Sequence, residues 1–525
     1  MSTPESKIYI CSGVRLNNSY EHTIYFDSKE AQAQYFAGKV VRTFSAYTYL
    51  RKAWNIKLQA TYEDARKWSY LYFQNPSGKI YYYFINQVEY ISNTTVELQL
   101  EMDVMQTYLF DYTLQRCFVE REHVKVDSIG LHTVEEGLDV GDLKNIDSTV
   151  VNLQDLCVLV LATFNPLTTT EENTTSLLYA EYDRIFSGLG IYAVAHDDWR
   201  AWGTKLSQLD EWGKSDGIIA MWMYPKALVG LTDASTWEDG MVTKEVKAIT
   251  PFYHTVSRND KLSGSYIPRN NKLFCYPYNF LYVTNNSGGA SVYRYERFND
   301  ASECKFKITG SLSADACVKL VPFAYNGDLE NYDEGILLSG FPSCAWNQDV
   351  YKLWLAQNQH QQSLAIGTAA LKIGAGIIGA VATGGIGAVI SGSSIVSGAQ
   401  EIGSILAQRN DKEIQPPQAR GQQSSSVNIT NNCQTFELHR KSITSEYAKI
   451  IDDYFTMYGY KVSCLKIPEL KNRENWTYIK TIGCHITGNF CSEDQTKIQS
   501  IYNNGVTFWV NGDSIGNYSL DNDTL

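Results

Sequence analysis

A chain of 525 residues is too long for one ordinary hydrophobic core, so two to four compact units are expected. Only 19 % of the residues are charged, while 13 % are aromatic, including 36 tyrosines and 11 tryptophans; this excludes a disordered chain, and the many Thr, Val and Tyr with few Pro lean toward β structure. The formal net charge of −12, without a long Lys/Arg run, disfavours stable nucleic-acid binding. It suits a duct that lets DNA slide past, and equally an acidic surface that keeps an abundant protein soluble.

The start, Met1-Ser-Thr-Pro-Glu-Ser, lacks the basic-then-apolar pattern of a signal peptide, so none is expected. Residues 96–101 alternate Val-Glu-Leu-Gln-Leu-Glu, the period of a half-buried strand, and residues 81–90 should pair with them across Ser92-Asn93-Thr94. Residues 151–239 mix a solid apolar strand at 156–163 with Trp-rich helical pieces such as 197–212, and read as an inserted lobe. Strands return over 247–338, punctuated at Asn271, at Asn285 to Gly289 and at Asn326-Gly327. Near the end, Ser492 and Gln495 sit at capping-box spacing before a helix with an apolar face of Ile498, Ile501 and Tyr502. Asn504-Gly505 should close that helix before a strand at 506–510, and Asn511-Gly512 should turn the chain back toward Tyr518.

Between these β regions the character changes. A helix is expected over 350–362 and another over 401–408, and residues 409–432, with Pro416-Pro417 and Ser424-Ser425-Ser426, read as a polar linker. From Ile373 to Gln400 no residue is charged, a length that as helix crosses a hydrocarbon core of about 30 Å. Its apolar residues are Ile373, Ile377, Ile378, Val381, Ile386, Val389, Ile390, Ile395 and Val396, with no Leu, Phe or Trp. Such a set supplies only about −4 kcal/mol of insertion energy, which the many Gly, Ser and Thr largely offset. Marginal energy suits a segment that is soluble first and membrane-seeking later.

Small residues recur at Gly376, Ala380, Gly384, Ala388 and Gly392, one smooth ridge if the segment is a single helix. If both flanks belong to one folded body, the chain must go out and return, which favours a re-entrant hairpin with legs at 364–383 and 386–407, starting near Leu364 and turning at Gly384-Gly385. Ridge and hairpin cannot both be complete. Lys372 and Glu401 bound the tract and are expected to face a water-filled lumen or each other, because a charge facing lipid costs several kcal/mol. The plainer alternative is a buried Gly/Ala-rich helical hairpin, although so few bulky side chains fill a core badly.

Several motif matches carry little weight. Residues 374–379 satisfy the dinucleotide fingerprint with Glu401 downstream, but no strand precedes them. Gly213-Lys214-Ser215-Asp216-Gly217 satisfies G-x-S-x-G, yet strand-like residues 218–223 follow where a nucleophile elbow needs a helix, so Ser215 reads as a loop residue. The eight histidines show no metal-ligand spacing, Cys484 and His485 would point to opposite faces of a strand, and Glu135-Glu136 has the same defect as an acid/base pair. The eleven cysteines, with no C-x-x-C pair, read as buried small hydrophobes in a protein made in a reducing cytosol. No catalytic residue, metal or cofactor is expected.

The block Glu101-Met-Asp-Val-Met-Gln-Thr-Tyr-Leu-Phe-Asp111, with Phe118-Val-Glu-Arg-Glu-His-Val-Lys125 and Thr133-Val-Glu-Glu-Gly-Leu138, resembles the tail-knob family of phi29-like short-tailed bacteriophages. So do Tyr458-Gly-Tyr-Lys-Val462, Lys466-Ile-Pro-Glu-Leu-Lys471, residues 478–484, Asn504-Gly-Val-Thr-Phe-Trp509 and Ile515-Gly-Asn-Tyr518. The blocks cover about a third of the chain and enclose the apolar tract, whereas residues 150–345 carry none.

The resemblance implies a mainly β fold with α+β parts: tandem tube-forming β-barrel or sandwich domains, an inserted mixed lobe and a long apolar loop. The expected division is an N-terminal β tube domain at 1–150, the lobe at 151–245, a second β tube region at 246–348, the apolar membrane-active loop and linker at 349–432, and a C-terminal α+β segment at 433–525 that completes the tube body. By the same resemblance the protein is a non-enzymatic virion component at the tail tip, synthesised in the host cytoplasm. It forms a homohexamer, adjoins a proximal tail or collar tube protein, and uses the loop to penetrate the host membrane for genome ejection, with DNA passing through the lumen without specific binding. The competing readings are a receptor-binding knob and a wall-degrading tail enzyme.

Overall fold

In the computed structural model, residues 7–50, 54–172, 180–182, 185–187, 189–232, 235, 237–313, 316–341, 343–345 and 434–525 are described. The chain divides into two units: residues 1–141, 264–275 and 444–525 form unit 1, and residues 142–263 with 276–443 form unit 2. The fold is mainly β with α+β parts.

Unit 1 opens with a seven-stranded antiparallel sheet in the order Val40–Phe44, Ile8–Cys11, Tyr70–Gln74, Ile80–Ser92, Thr95–Met102, Asn55–Leu58 and Thr48–Leu50. The expected hairpin is there: Ile80–Ser92 pairs with Thr95–Met102 and closes at Ser92 opposite Thr95. Successive strand residues point to opposite faces, so the aromatic run at 81–84 serves two cores. Tyr82 and Phe84 pack with Tyr70 and Phe36 on one face, and Tyr83 packs with Leu71, Val96 and Leu98 on the other.

A second, five-stranded sheet joins the two ends of the chain in the order His22–Ile24, Val506–Trp509, Trp476–Ile482, Cys117–Glu122 and Tyr460–Lys466. Its parallel pair, His22–Ile24 with Val506–Trp509, ties the first strands to the last. The helix Ser492–Asn504 covers this core with Ile498, Ile501 and Tyr502, the face that the sequence predicts, and ends at Gly505. The capping box does not form. Cys491 is the cap residue and supplies no side-chain hydrogen bond, Ser492 is already helical, and the Gln495 amide donates to Ile486 O at 3.1 Å.

Unit 2 gathers three sheets around one large apolar core. The first runs Leu143–Asn152, Thr435–Ile443, Asn279–Thr284, Ala290–Tyr293; the second runs Trp237–Glu238, Met241–Glu245, Gly190–Ala195, Leu156–Ala162, Ile218–Pro225, Ser343–Ala345. The third holds Phe252–Ser257, Glu303–Gly310, Cys317–Tyr325 and Asp328–Glu330, with Ile336–Ser339 also on Cys317–Tyr325. Asn326-Gly327 makes the two-residue turn between Tyr325 and Asp328, with φ of 57° and 87°, the left-handed pair that a tight hairpin demands. The expected helix is Trp199–Glu211, and Leu156–Ala162 is the apolar strand. Residues 218–223 lie in the strand Ile218–Pro225, and Ser215 opens a short 3-10 turn, its hydroxyl donating to Asp210 Oδ1 at 2.8 Å.

Candidate functional site: the mounts of the apolar tract and the polar knot

Every residue singled out in the apolar tract, from Leu364 through Lys372 to Glu401, lies outside the described residues. What is described is how the chain leaves and returns. It leaves through Ser343–Ala345, a short strand at the end of its sheet, paired among the described residues with Ile218–Pro225, with Ala220 opposite Ala345 and Trp222 opposite Ser343. It returns through Thr435–Ile443, a strand hydrogen-bonded on both sides, to Leu143–Asn152 and to Asn279–Thr284. Phe436 stands opposite Val151 and Leu438 opposite Val283, all four in the main core of unit 2. Leu153 N–H donates to Gln434 O at 3.0 Å, so pairing begins at the first described residue after the tract. Both ends of residues 346–433 are therefore mounted in unit 2, one at a sheet edge and one inside a sheet.

Unit 1 contains a second arrangement that the sequence did not announce. Its middle segment, residues 264–275, lies far in sequence from both of its other parts and is held by buried carboxylates. Asp452, on the helix Ser445–Tyr458, is fully buried. It accepts from Tyr266 Oη at 2.8 Å, Arg269 N at 2.9 Å, Asn270 N at 3.1 Å and Asn270 Nδ2 at 2.7 Å. Glu136, its side chain 1 % exposed, bridges Arg121 and Lys272 and accepts from Lys461 N at 2.9 Å. Asp127 accepts from Tyr460 Oη at 2.9 Å, and its carbonyl accepts from Asn271 Nδ2 at 2.6 Å. Burial pulls the Lys272 ammonium below its usual range against the opposing pull of Glu136.

Two further buried groups have shifted protonation. Burial, reinforced by the Arg473 charge, drops the His123 imidazole to about 3, so it stays neutral; its Nε2 lies 3.1 Å from Thr456 O and its Nδ1 accepts from Tyr478 N at 2.8 Å. Burial lifts Asp103 to about 6 despite hydrogen bonds from Gln106 N at 3.1 Å and Tyr70 Oη at 2.8 Å.

These groups face hydrogen-bond partners, not an open cleft. The arrangement can hold chain segments in register; it offers no free nucleophile with a base. Glu136, discounted as half of an acid/base pair with Glu135, is a structural bridge, and no local signal marks it because Arg121, Lys272 and Lys461 are distant in sequence. Among the described residues no three His, Cys, Asp or Glu side chains converge as a metal site, and no helix is long and apolar enough to cross a membrane.

The comparisons point to phage tail proteins. Residues 239–523 match the model of the phi29 tail knob protein gp9 C-terminal domain, and residues 4–113 match the N-terminus of the caudoviral major tail proteins. The chain is 25 % identical over 594 aligned positions to tail knob protein gp9 of Bacillus phage B103, covering 98 % of each chain, and 24 % identical to that of Bacillus phage phi29, covering 99 % of this chain and 98 % of the relative. Its fold is similar to that of the tail knob protein gp12 of bacteriophage C1, with a TM-score of 0.67 at 14 % identity over 99 % of this chain and all of the other. With more than half its length matched by the gp9 model, the chain belongs to the phi29-type tail knob protein family, structural components of the virion tail.

Proposed function

We propose that the chain is the subunit of a tube, a homohexamer, that closes the tail tip and uses residues 364–401 to penetrate the host membrane during genome ejection. One observation carries the reading. A stretch without a single charge from Ile373 to Gln400 is strung between two strands mounted in the same unit, so whatever the tract enters, it must also leave.

Marginal hydrophobicity makes such a device reversible. Six weakly apolar hairpins shelter one another from water inside a closed tube, and contact with a cell offers lipid as the competing shelter. The net charge of −12 keeps passing DNA from sticking to the duct. An adjoining tail or collar tube protein holds the other end of the tube.

Deleting residues 364–408 and bridging the ends with a short Gly/Ser linker tests the proposal. Tails assemble with the variant, adsorption persists, and DNA delivery into cells is lost. A deletion phage that delivers DNA at the wild-type rate ends the membrane role. Vesicle dye release by the purified wild-type assembly, abolished by the deletion, is the matching biochemical signal.

A further inference from the structure

Two thiols of unit 1 meet where the five-stranded sheet hands over to a short ladder. Phe118 lies opposite Ile482 in one pairing and Leu114 opposite Ile486 in the next, with Gln115 N–H donating to His485 O at 2.8 Å between them. This register sets Cys117 opposite Gly483, and regular alternation would send the Cys484 side chain to the other face. Gly483 interrupts the alternation with φ of +66°, a left-handed conformation that costs glycine little. Cys484 consequently lies beside Cys117, close enough for each thiol to act on the other. Asn503 Oδ1 fixes the Cys484 N–H at 3.0 Å, and the residues are only 4 % and 6 % exposed.

We propose that Cys117 and Cys484 are a built-in redox pair that closes to a disulfide once the protein leaves the reducing cytosol and meets a small-molecule disulfide. The step balances: a bond forms between the two cysteine sulfurs, the S–S bond of the small disulfide breaks, and both cysteine protons end on the two small thiols released. The bond would join the part of unit 1 before the apolar tract to the part after it, a very long loop, so the cross-link would constrain the unfolded chain strongly. Burial pushes both thiols up, Cys484 to about 12, so closure is slow and the exposed Cys491 reacts first with alkylating reagents.

The test uses the full-length protein, reduced, freed of reductant, incubated folded with oxidised glutathione, quenched with N-ethylmaleimide, digested and mapped by mass spectrometry. The expected product is the Cys117 peptide linked to the Cys484 peptide, lighter by two hydrogens than the separate pair and split by reductant, with Tm raised by roughly 5 °C. The same link persists in Cys491→Ser, an exposed change that leaves the core intact. Folded protein in which both cysteines stay unlinked while Cys491 is modified overturns the proposal, as does either cysteine linked to a different partner.

Discussion

Each unit takes in a segment that arrives from far along the chain, and the balance of apolar and polar contacts differs between the two. Unit 2 receives Thr435–Ile443 into the middle of a sheet and holds it with apolar side chains, Phe436 and Leu438, buried among Val151, Leu281 and Val283. Unit 1 receives residues 264–275 in short 3-10 turns and, beside the buried Leu273, Phe274 and Cys275, holds them by polar groups on Asp452, Glu136 and Asp127. Apolar packing is tolerant of exchange, whereas a buried carboxylate accepts only the donors arranged for it. The difference matters because the strand in unit 2 is where the chain returns after the proposed membrane-active tract and its linker.

The largest effect is expected at the polar knot. Asp452→Ala removes the fully buried acceptor shared by Tyr266, Arg269 and Asn270, leaves the buried Asn270 donors without it, and should destabilise unit 1 by about 3–5 kcal/mol, read from chemical denaturation, with loss of protection of residues 264–275 in hydrogen exchange. Leu438→Ala is next, at about 3 kcal/mol from lost burial and the cavity left behind, and its signature should stay in unit 2. Equal exchange profiles for the two variants would abolish the distinction between the mounts.

Acid sharpens the contrast further. His123, at about 3 in the folded chain against 6.5 unfolded, binds its proton more readily when unfolded, so its contribution is lost as pH falls through that interval. Asp103, at about 6 folded against 3.8 unfolded, holds its proton more tightly when folded, so it adds stability as pH falls from about 6 toward 4. The two slopes oppose each other between about pH 4 and 6. His123→Gln should make stability rise more on acidification than in the wild type, and Asp103→Asn, which keeps a helix-capping oxygen, should make it fall more; denaturation midpoints across that range read the divergence. Slopes that shift in the same direction would refute the assignment.

The smallest effect belongs to a partly exposed pair. Lys497 Nζ reaches Glu101 Oε1 at 2.6 Å, and although burial raises Glu101, hydrogen bonds from Lys497, Asn18 and Asn86 outweigh it and hold the carboxyl at about 2. Lys497→Met should cost no more than about 0.5–1 kcal/mol, because solvent screens the pair. A larger loss would place that contact with the buried knot.

Local pattern makes much of this fold legible in the sequence. The alternation at 96–101, the turn residues at Asn326-Gly327 and the apolar face of Ile498, Ile501 and Tyr502 each depend on neighbours a few positions away. The capping box failed for the same reason in reverse: Ser492 and Gln495 have the right spacing, but the helix begins at Ser492 with Cys491 as its cap residue, and the Gln495 amide donates to Ile486 O of a separate ladder. The family blocks, at 101–138 and 458–518, all lie in unit 1.

Sequence alone determined the strand periods, the charge-free tract and the kinship with tail knob proteins, since each is written in consecutive residues. Only the tertiary structure decided that residues 264–275 belong with the two ends of the chain, that Glu136 bridges Arg121 and Lys272, and that Cys484 faces Cys117. A buried ion pair or thiol contact is set by which distant segments share low-dielectric space, and no local spacing encodes that meeting.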